Sequence, residues 1–372
     1  MQTARPASVS TASAALISLI RKAIARDGGW LPFDRFMALA LYAPGLGYYA
    51  RGAGQIGRMP ASGSDFVTAP ELSPLFGAAL ARPVTQALAA CGSAELFEFG
   101  AGTGALALQL IEALGDRVER YTIIDLSGSL RERQRATLAV HAGRVRWLDA
   151  LPDRLHGVVI GNEVLDAMPV QLLHFDGSEW LERGIAIAGD GFGWADRPTA
   201  LRPPHDGAFV PGSTTEIHPQ AEAFIATLAE RLQRGAAFFI DYGFPAHEYY
   251  HPQRIGGTLM CHRAHRADAD PLTDVGDKDI TAHVDFSGIA LAGQEAGLDV
   301  LGYTAQGRFL LNCGVLDLLA PGDLKATAGV QKLLAEHEMG ELFKVIGFAR
   351  GCDAAFIEAP LGFAQGDRTH TL

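Results

Sequence analysis

The chain has 372 residues, 48% of them hydrophobic and 20% charged, so it can bury a large core and a disordered state is excluded as the default. A formal net charge of −11 argues against nucleic-acid binding, which calls for a basic patch or stripe, and the small clusters Arg131/Arg133/Arg135 and Arg263/Arg266 read as solvated faces. The cysteines Cys91, Cys261, Cys313 and Cys352 are scattered with no CxxC pair, as in a reducing compartment, and no apolar run reaches the ~18 residues of a membrane-crossing helix.

Residues 1–90 form a predicted helical region. The first residues are Ser- and Ala-rich and free of acids up to Asp27, the composition of a transit peptide. They lead, however, straight into Leu16, Ile17, Leu19, Ile20 and Ile24 at helical spacing, which predicts a helix over 14–26 ended by Gly28-Gly29. Pro32-Phe33-Asp34 starts a second helix through Leu41. Residues 43–70 are rich in Gly, Pro, Tyr and Ser, a loop long enough to point to a functional role. A helix is predicted over 73–90.

An alternating pattern then begins. Strands are predicted at 95–99, 121–125, 144–147 and 157–160, with helices at 105–114 and 130–140 between them. After Asn162 an insertion over about 170–215 carries short antiparallel strands near 172–174, 180–182 and 191–194. A helix over 219–234 feeds a fifth strand at 236–240. A second insertion spans about 244–284, then come a helix over 285–296, a strand near 300–303 and a last strand at 343–348. Alternating β and α units imply a parallel sheet with helices on both faces. The fold class is therefore α/β: a Rossmann-like, seven-stranded, mostly parallel sheet with a reversed last strand, an N-terminal helical region and cap insertions. Its domain would span 91–350, with 351–372 as a C-terminal tail.

The turn Glu98-Phe99-Gly100-Ala101-Gly102-Thr103-Gly104 lies between a strand and a helix. It fits both a dinucleotide fingerprint and the Glu-x-Gly-x-Gly-x-Gly turn of class I methyltransferases. In either case glycines let backbone approach a ligand without Cβ clashes. On that ground Gly104→Val is expected to abolish cofactor binding. Asp125, about 25 residues past Gly100, ends the second strand with Leu126 beside it and is placed to hold ribose hydroxyls. S-adenosyl-L-methionine is favoured over NAD. It carries no phosphate, so its site need not be basic, and its cationic sulfur suits the nearby carboxylates Glu98, Glu163 and Asp166. No set of Lys, Tyr or His for hydride transfer is recognisable.

Asn162-Glu163-Val164-Leu165-Asp166 leaves the apolar strand 158–160 at the sheet's carboxyl rim, where open α/β sheets bind ligands. Glu216-Ile217-His218-Pro219 is a second candidate, and Asp241-Tyr242-Gly243 ends the fifth strand at the same rim. A guanidinium stays protonated, so carboxylates in bidentate contact would hold it and direct one nitrogen at the methyl. Glu163 and Glu216 would form such a pair if they meet. Cys261, His262 and His265 fall short of the four tightly spaced ligands of a structural zinc site, and no metal is expected.

These residues resemble the MidA-like family, the bacterial and mitochondrial relatives of the complex I assembly-factor protein arginine methyltransferase. The matching stretches run from Phe33-x-x-Phe36-Met37 and Gly47-Tyr48-Tyr49 through 65–73 and the Gly-rich turn to Asp125-x-Ser127. They continue with Asn162-Glu163-x-x-Asp166-Ala167-x-Pro169-Val170, Glu216-x-x-Pro219, Asp241-Tyr242-Gly243, the run 279–286 and Met339-Gly340-x-x-Phe343. The resemblance implies a class I methyltransferase fold with a cap, and symmetric dimethylation of an arginine on a respiratory complex I subunit. Gly100, Gly102, Gly104 and Asp125 would hold the cofactor, with Glu98, Leu126 and Asn162 beside them. Glu163, Asp166 and Glu216 would be catalytic. Asp65, Thr68, Glu71, His218, Asp241 and Tyr242 would line the acceptor site or its cap. Three positions depart from the family's usual residues: Ser64 stands for Gly before Asp65-Phe66, Val275 for Pro before Gly276, and Asp125 for Glu.

Partners would be a protein substrate, with no nucleic acid and no membrane insertion; a homodimer is compatible. The compartment would be the cytoplasm in a bacterium or the mitochondrial matrix in a eukaryote. A small-molecule methyltransferase and a cofactor-binding assembly factor without turnover remain as alternatives.

Overall fold

The computed structural model describes residues 11–51, 68–125, 128–263 and 266–372. Its centre is a sheet of seven long strands: β1 (Glu95–Phe99), β2 (Arg120–Ile124), β3 (Val145–Leu148), β4 (Leu155–Asn162), β5 (Leu232–Phe244), β6 (Asp299–Ala305) and β7 (Phe343–Arg350). Their spatial order is β3-β2-β1-β4-β5-β7-β6. The first five run parallel, and β7 inserts antiparallel between β5 and β6. A two-residue strand, Val284–Asp285, adds to the end of β5. This is the expected Rossmann-like architecture with its reversed last strand. The strand order reverses direction between β1 and β4, which opens a crevice at their carboxyl ends.

The strands are apolar on both sides because both faces are covered. Along β1, Leu96 packs with the helices Leu75–Cys91 and Ala105–Leu114, whereas Phe97 and Phe99 pack with Pro219–Arg231 and Phe286–Glu295. Successive side chains thus enter opposite layers. In β4, Val158, Val159 and Ile160 are all fully buried. The helix expected to reach residue 234 stops at Arg231. Leu232 instead pairs with Leu155 and opens β5, with a register shift before Arg234.

A third core cluster lies outside these layers. The helices Thr11–Arg26 and Phe33–Tyr42 pack through Leu16, Ile20, Phe36 and Met37 onto the first insertion. That insertion forms an antiparallel sheet of Gln171–Phe175, Trp180–Ala188, Gly191–Pro198 and Thr214–Ile217, to which Leu31–Pro32 adds at Ile185 and Gly184. The second insertion contributes Cys261, Ile280 and Ala282 to the same cluster. The N-terminal helices and both insertions therefore share one core. The helix Leu75–Cys91, by contrast, belongs to the central sheet.

Residues 351–372, set apart above as a tail, pack along β6, the outer strand of the sheet. Arg368 N–H donates to Tyr303 O, Tyr303 N–H donates to Asp367 Oδ1 at 2.9 Å, and the Thr304 hydroxyl donates to Gly366 O at 2.7 Å. Phe356 and Phe363 are buried. The segment covers a sheet edge that would otherwise present unpaired backbone.

Candidate functional site

β1 leads directly into the Gly-rich turn, and Gly100, Gly102 and Gly104 take φ of +59°, +52° and +83°. Such values cost an L-residue on the order of 1–2 kcal/mol, which explains glycine at all three. They face different surroundings. A Cβ on Gly100 would sit 3.2 Å from Val164 Cγ2, and one on Gly104 would sit 3.4 Å from Gln134 Cα and 3.5 Å from Thr137 Cβ. One on Gly102 would meet no described atom within 4 Å. The Cβ direction of Gly104 therefore faces the helix Gly128–Thr137 and not the ligand approach expected above, and its φ is what calls for glycine. The bare backbone that a ligand can approach is at Gly102.

The acid after β2 is fixed by a residue that the sequence reading passed over. Gln134 is fully buried. Its Nε2 donates to Asp125 Oδ2 at 2.8 Å and to Gly102 O at 3.1 Å, and its Oε1 accepts from Trp147 Nε1 at 3.0 Å. One amide thus ties the ribose-type acid to the turn. The only hint in the sequence is an uncharged side chain inside a highly charged helix. Leu126 and Asp65 lie outside the described residues. Thr68 precedes the short helix Ala69–Leu72 and makes no side-chain cap. Glu71 in that helix accepts the Thr103 hydroxyl, which fastens the covering segment to the turn. Glu98 is buried beneath the turn. Its Oε2 accepts from Tyr121 OH at 2.8 Å, and burial pushes its carboxyl up to about 8 despite that bond.

The rim between β4 and β5 concentrates acids. Glu163 has φ +54°, a left-handed value for a non-glycine residue, and strain of this kind clusters at functional sites. The loop holds this shape because Asp241, at the end of β5, accepts three successive backbone N–H groups on Oδ2: Val164 at 3.1 Å, Leu165 at 2.9 Å and Asp166 at 3.2 Å. Asp166 is 6% exposed. Its Oδ2 accepts the Tyr242 hydroxyl, and its Oδ1 is buried with no hydrogen-bond partner among the described residues. Asn162 Nδ2 donates to Glu163 Oε1 at 3.0 Å, while its Oδ1 is likewise buried and unpartnered.

Burial, followed by the charge of Asp166, pushes Glu163 up to about 8. Burial also lifts Asp166 to about 6, against the Tyr242 hydrogen bond. Asp241 is pushed well above the carboxylate range by burial, then by Asp166 and Glu163, against its backbone N–H donors. Three neighbouring acids resist common ionisation unless a cation joins them.

The cap closes on this loop. Tyr42 OH donates to Ala167 O at 2.7 Å, and Ala282 N–H donates to Asp166 O at 3.0 Å. Tyr49, stacked on Tyr42 with ring centroids 5.6 Å apart, donates to Asp279 Oδ1 at 2.9 Å. Asp279 is itself near enough to raise Glu163. Tyr42, Tyr49 and Asp279 thus join the site from parts of the chain to which the sequence reading gave no role.

Glu216 is placed differently from the expectation. It is fully buried and accepts four hydrogen bonds from the chain itself: Thr258 N–H at 2.9 Å, Leu259 N–H at 3.0 Å, Tyr249 OH at 3.0 Å and Thr258 OH at 3.2 Å. Its lone pairs are committed to the second insertion, so the carboxylate pair expected above is replaced by Glu163 with Asp166 and Asp241. His218 lies beside Tyr249, 3.0 Å from its hydroxyl, and burial lowers its pKa to about 3, so it is neutral. Among the described residues no cluster of His, Cys, Asp and Glu is arranged to hold a metal ion, and no helix is long and apolar enough to cross a membrane.

Residues 79–304 match the family described as "Putative S-adenosyl-L-methionine-dependent methyltransferase". The chain resembles the protein arginine methyltransferase NDUFAF7 homolog, mitochondrial, of Caenorhabditis elegans. The two are 25% identical over 78% of this chain and 74% of that one. With the Bos taurus protein arginine methyltransferase NDUFAF7, mitochondrial, it shares 28% identity over 92% of this chain and 84% of that one. A crystal structure of a Burkholderia thailandensis protein bound to S-adenosyl-homocysteine is 53% identical, with full coverage of both chains and a TM-score of 0.93. The open backbone at Gly102, beside an anchored Asp125, suits the same adenosyl group. S-adenosyl-L-methionine is the cofactor, and the chain belongs to the MidA-like family of S-adenosyl-L-methionine-dependent methyltransferases.

Proposed function

We propose that this methyltransferase acts on an arginine guanidinium of a partner protein. The observation that carries the reading is the acidic rim: Glu163, Asp166, Asp241 and Asp279 crowd one loop, and Asp166 keeps a buried oxygen with no partner among the described residues. Such a cluster favours a cation rich in N–H donors, and a guanidinium offers five in a planar fork. The names of the NDUFAF7 relatives support the same acceptor.

Gly100, Gly102 and Gly104 would border the cofactor, and Asp125, held by Gln134, would take its ribose hydroxyls. When bound, the cofactor supplies an electrophilic methyl on a positively charged sulfur. The chain's own work is placement and charge. Asp166 and Glu163 accept guanidinium N–H groups and fix which nitrogen faces the methyl, an arrangement that converts binding into rate. Glu163, whose carboxyl burial raises to about 8 in the free site, ionises once the guanidinium charge joins the acids and then takes up the proton that the acceptor nitrogen releases. Tyr242 and Asp241 hold the two acids in position.

The test is incubation with labelled S-adenosyl-L-methionine and host lysate, followed by mass spectrometry of the labelled residue. A respiratory-complex subunit, suggested by the resemblance above, is the first candidate to inspect. Label on arginine is expected, together with its loss in Glu163→Gln at unchanged S-adenosyl-homocysteine affinity. Label confined to small molecules, or cofactor binding without any transfer, would overturn the proposal.

A further inference from the structure

Asn162, expected above beside the cofactor, has an amide whose two ends are used unequally. Asn162 closes β4, in register with Ile240 at the carboxyl end of β5. Its Nδ2 donates to Glu163 Oε1 at 3.0 Å. With Glu163 ionised, as it is once a guanidinium charge joins the acids, turning the amide over would set its oxygen against that carboxylate oxygen, so Nδ2 stays committed to Glu163. The end that remains, Oδ1, is buried and has no partner among the described residues. Asp166 Oδ1, on a side chain 6% exposed, is in the same condition. Glu163 contacts Asn162 and feels the charge of Asp166, so both side chains border Glu163.

Buried acceptors without donors are rare in folded proteins, and each calls for an explanation. Here two of them flank the strained Glu163, on a loop whose backbone is pinned by Asp241, Tyr42 and Ala282. Hydrogen bonds hold the loop, yet these two oxygens have no donor among the described residues. A ligand with several N–H donors can supply one to each. A hydroxyl acceptor carries one donor and leaves one oxygen unpaired.

We propose that Asn162 is an acceptor-reading residue: its Oδ1, together with Asp166 Oδ1, receives N–H groups of the substrate and restricts the site to planar nitrogen acceptors bearing at least two N–H donors. The inference rests on the arginine reading above and adds to it the residue that selects the acceptor. The rival occupant of Asn162 Oδ1 is the cofactor's own amino group, which would make Asn162 a cofactor-binding residue.

The experiment uses the full chain and the variants Asn162→Ala and Asn162→Asp. S-adenosyl-homocysteine affinity is measured by calorimetry, and labelled arginine is counted after reaction with host lysate. The thermal shift that N-acetylarginine amide adds to the S-adenosyl-homocysteine complex is compared with that from N-acetyllysine amide. Asn162→Ala should keep cofactor affinity within about threefold, cut labelled arginine about tenfold or more, and lose the preference for the arginine probe. Asn162→Asp, which keeps an acceptor oxygen, should recover part of the transfer. A parallel fall in cofactor affinity would assign Asn162 to the cofactor and overturn the inference. So would unchanged transfer in both variants. Absence of labelled arginine from the wild-type reaction would instead overturn the functional reading, and the inference with it.

Discussion

Asp241 holds Asp166 by its backbone: Oδ2 of the first accepts the N–H of the second at 3.2 Å, with the N–H groups of Val164 and Leu165 on the same oxygen. The two residues are 75 positions apart in the chain. Removing this carboxylate leaves these three loop N–H groups without their partner at the edge of the core, and Tyr242 N–H loses its bond to Oδ1 as well. Asp241→Ala should therefore cost about 3 kcal/mol of stability or more, on the basis of about 1 kcal/mol for each lost loop hydrogen bond. It should also abolish methyl transfer, because Asp166 and Glu163 lose their fixed positions. Denaturant unfolding and a turnover assay read the two effects, and an unchanged unfolding midpoint would show that the loop holds itself.

The glycines of the turn separate ligand approach from internal packing. At Gly102 an added Cβ meets no described atom within 4 Å but has an unfavourable φ. Gly102→Val should keep the fold, at a cost of roughly 1–2 kcal/mol for the backbone, and lose S-adenosyl-homocysteine binding. At Gly104 a Cβ would already be in van der Waals contact with Gln134 and Thr137, so the further methyls of valine have to find room against that helix. Gly104→Val should shift that helix, lower the melting temperature more than Gly102→Val does, and lose binding indirectly by displacing Gln134 from Asp125. Calorimetry with melting curves on both variants checks the contrast, and equal stability losses would remove the distinction.

Glu98 makes the fold sensitive to alkali. Its carboxyl titrates at about 8 in the folded chain, against 4.5 as the ordinary value, because burial outweighs the Tyr121 hydrogen bond. Between those two values the folded state binds more protons than the unfolded state, so stability falls as pH rises through the window. The slope for this one group is at most about 1.4 kcal/mol per pH unit. Glu98→Gln still accepts from Tyr121 and has no charge to bury. Unfolding of wild type and variant at pH 5.5 and at pH 8 should show a smaller loss in the variant. Identical losses would place the pH sensitivity elsewhere.

Glu216 and Glu163 should respond in opposite ways to the same conservative change. Glu216→Gln keeps an oxygen for the N–H groups of Thr258 and Leu259, and the hydroxyls of Tyr249 and Thr258 can turn to accept from the new amide. Transfer should persist within about threefold, a difference under about 1 kcal/mol. Glu216→Ala strands both N–H groups and should destabilise the chain by about 2–4 kcal/mol, with protease nicking between 244 and 284. Loss of transfer in Glu216→Gln without loss of stability would return Glu216 to the reacting groups.

Sequence alone determined the parts of this protein that depend on short-range order. Apolar runs of strand length, separated by helical periods, specify β1 to β5, because side-chain alternation and turn glycines act within a few residues. The same locality made Gly100, Gly102, Gly104, Asp125, Glu163 and Asp166 recognisable, since each follows directly from a strand end. Tertiary structure alone decided what those residues can do. Only the folded chain brings Asp241 beneath residues 164–166, sets Gln134 between Asp125 and Gly102, commits Glu216 to Thr258 and Leu259, and brings Tyr42 to Ala167. Apart from the Gln134–Asp125 bond, which spans 9 positions, each of those bonds joins residues 32 or more positions apart in the chain. A hydrogen bond depends on direction and on competing partners, neither of which has a period along the chain.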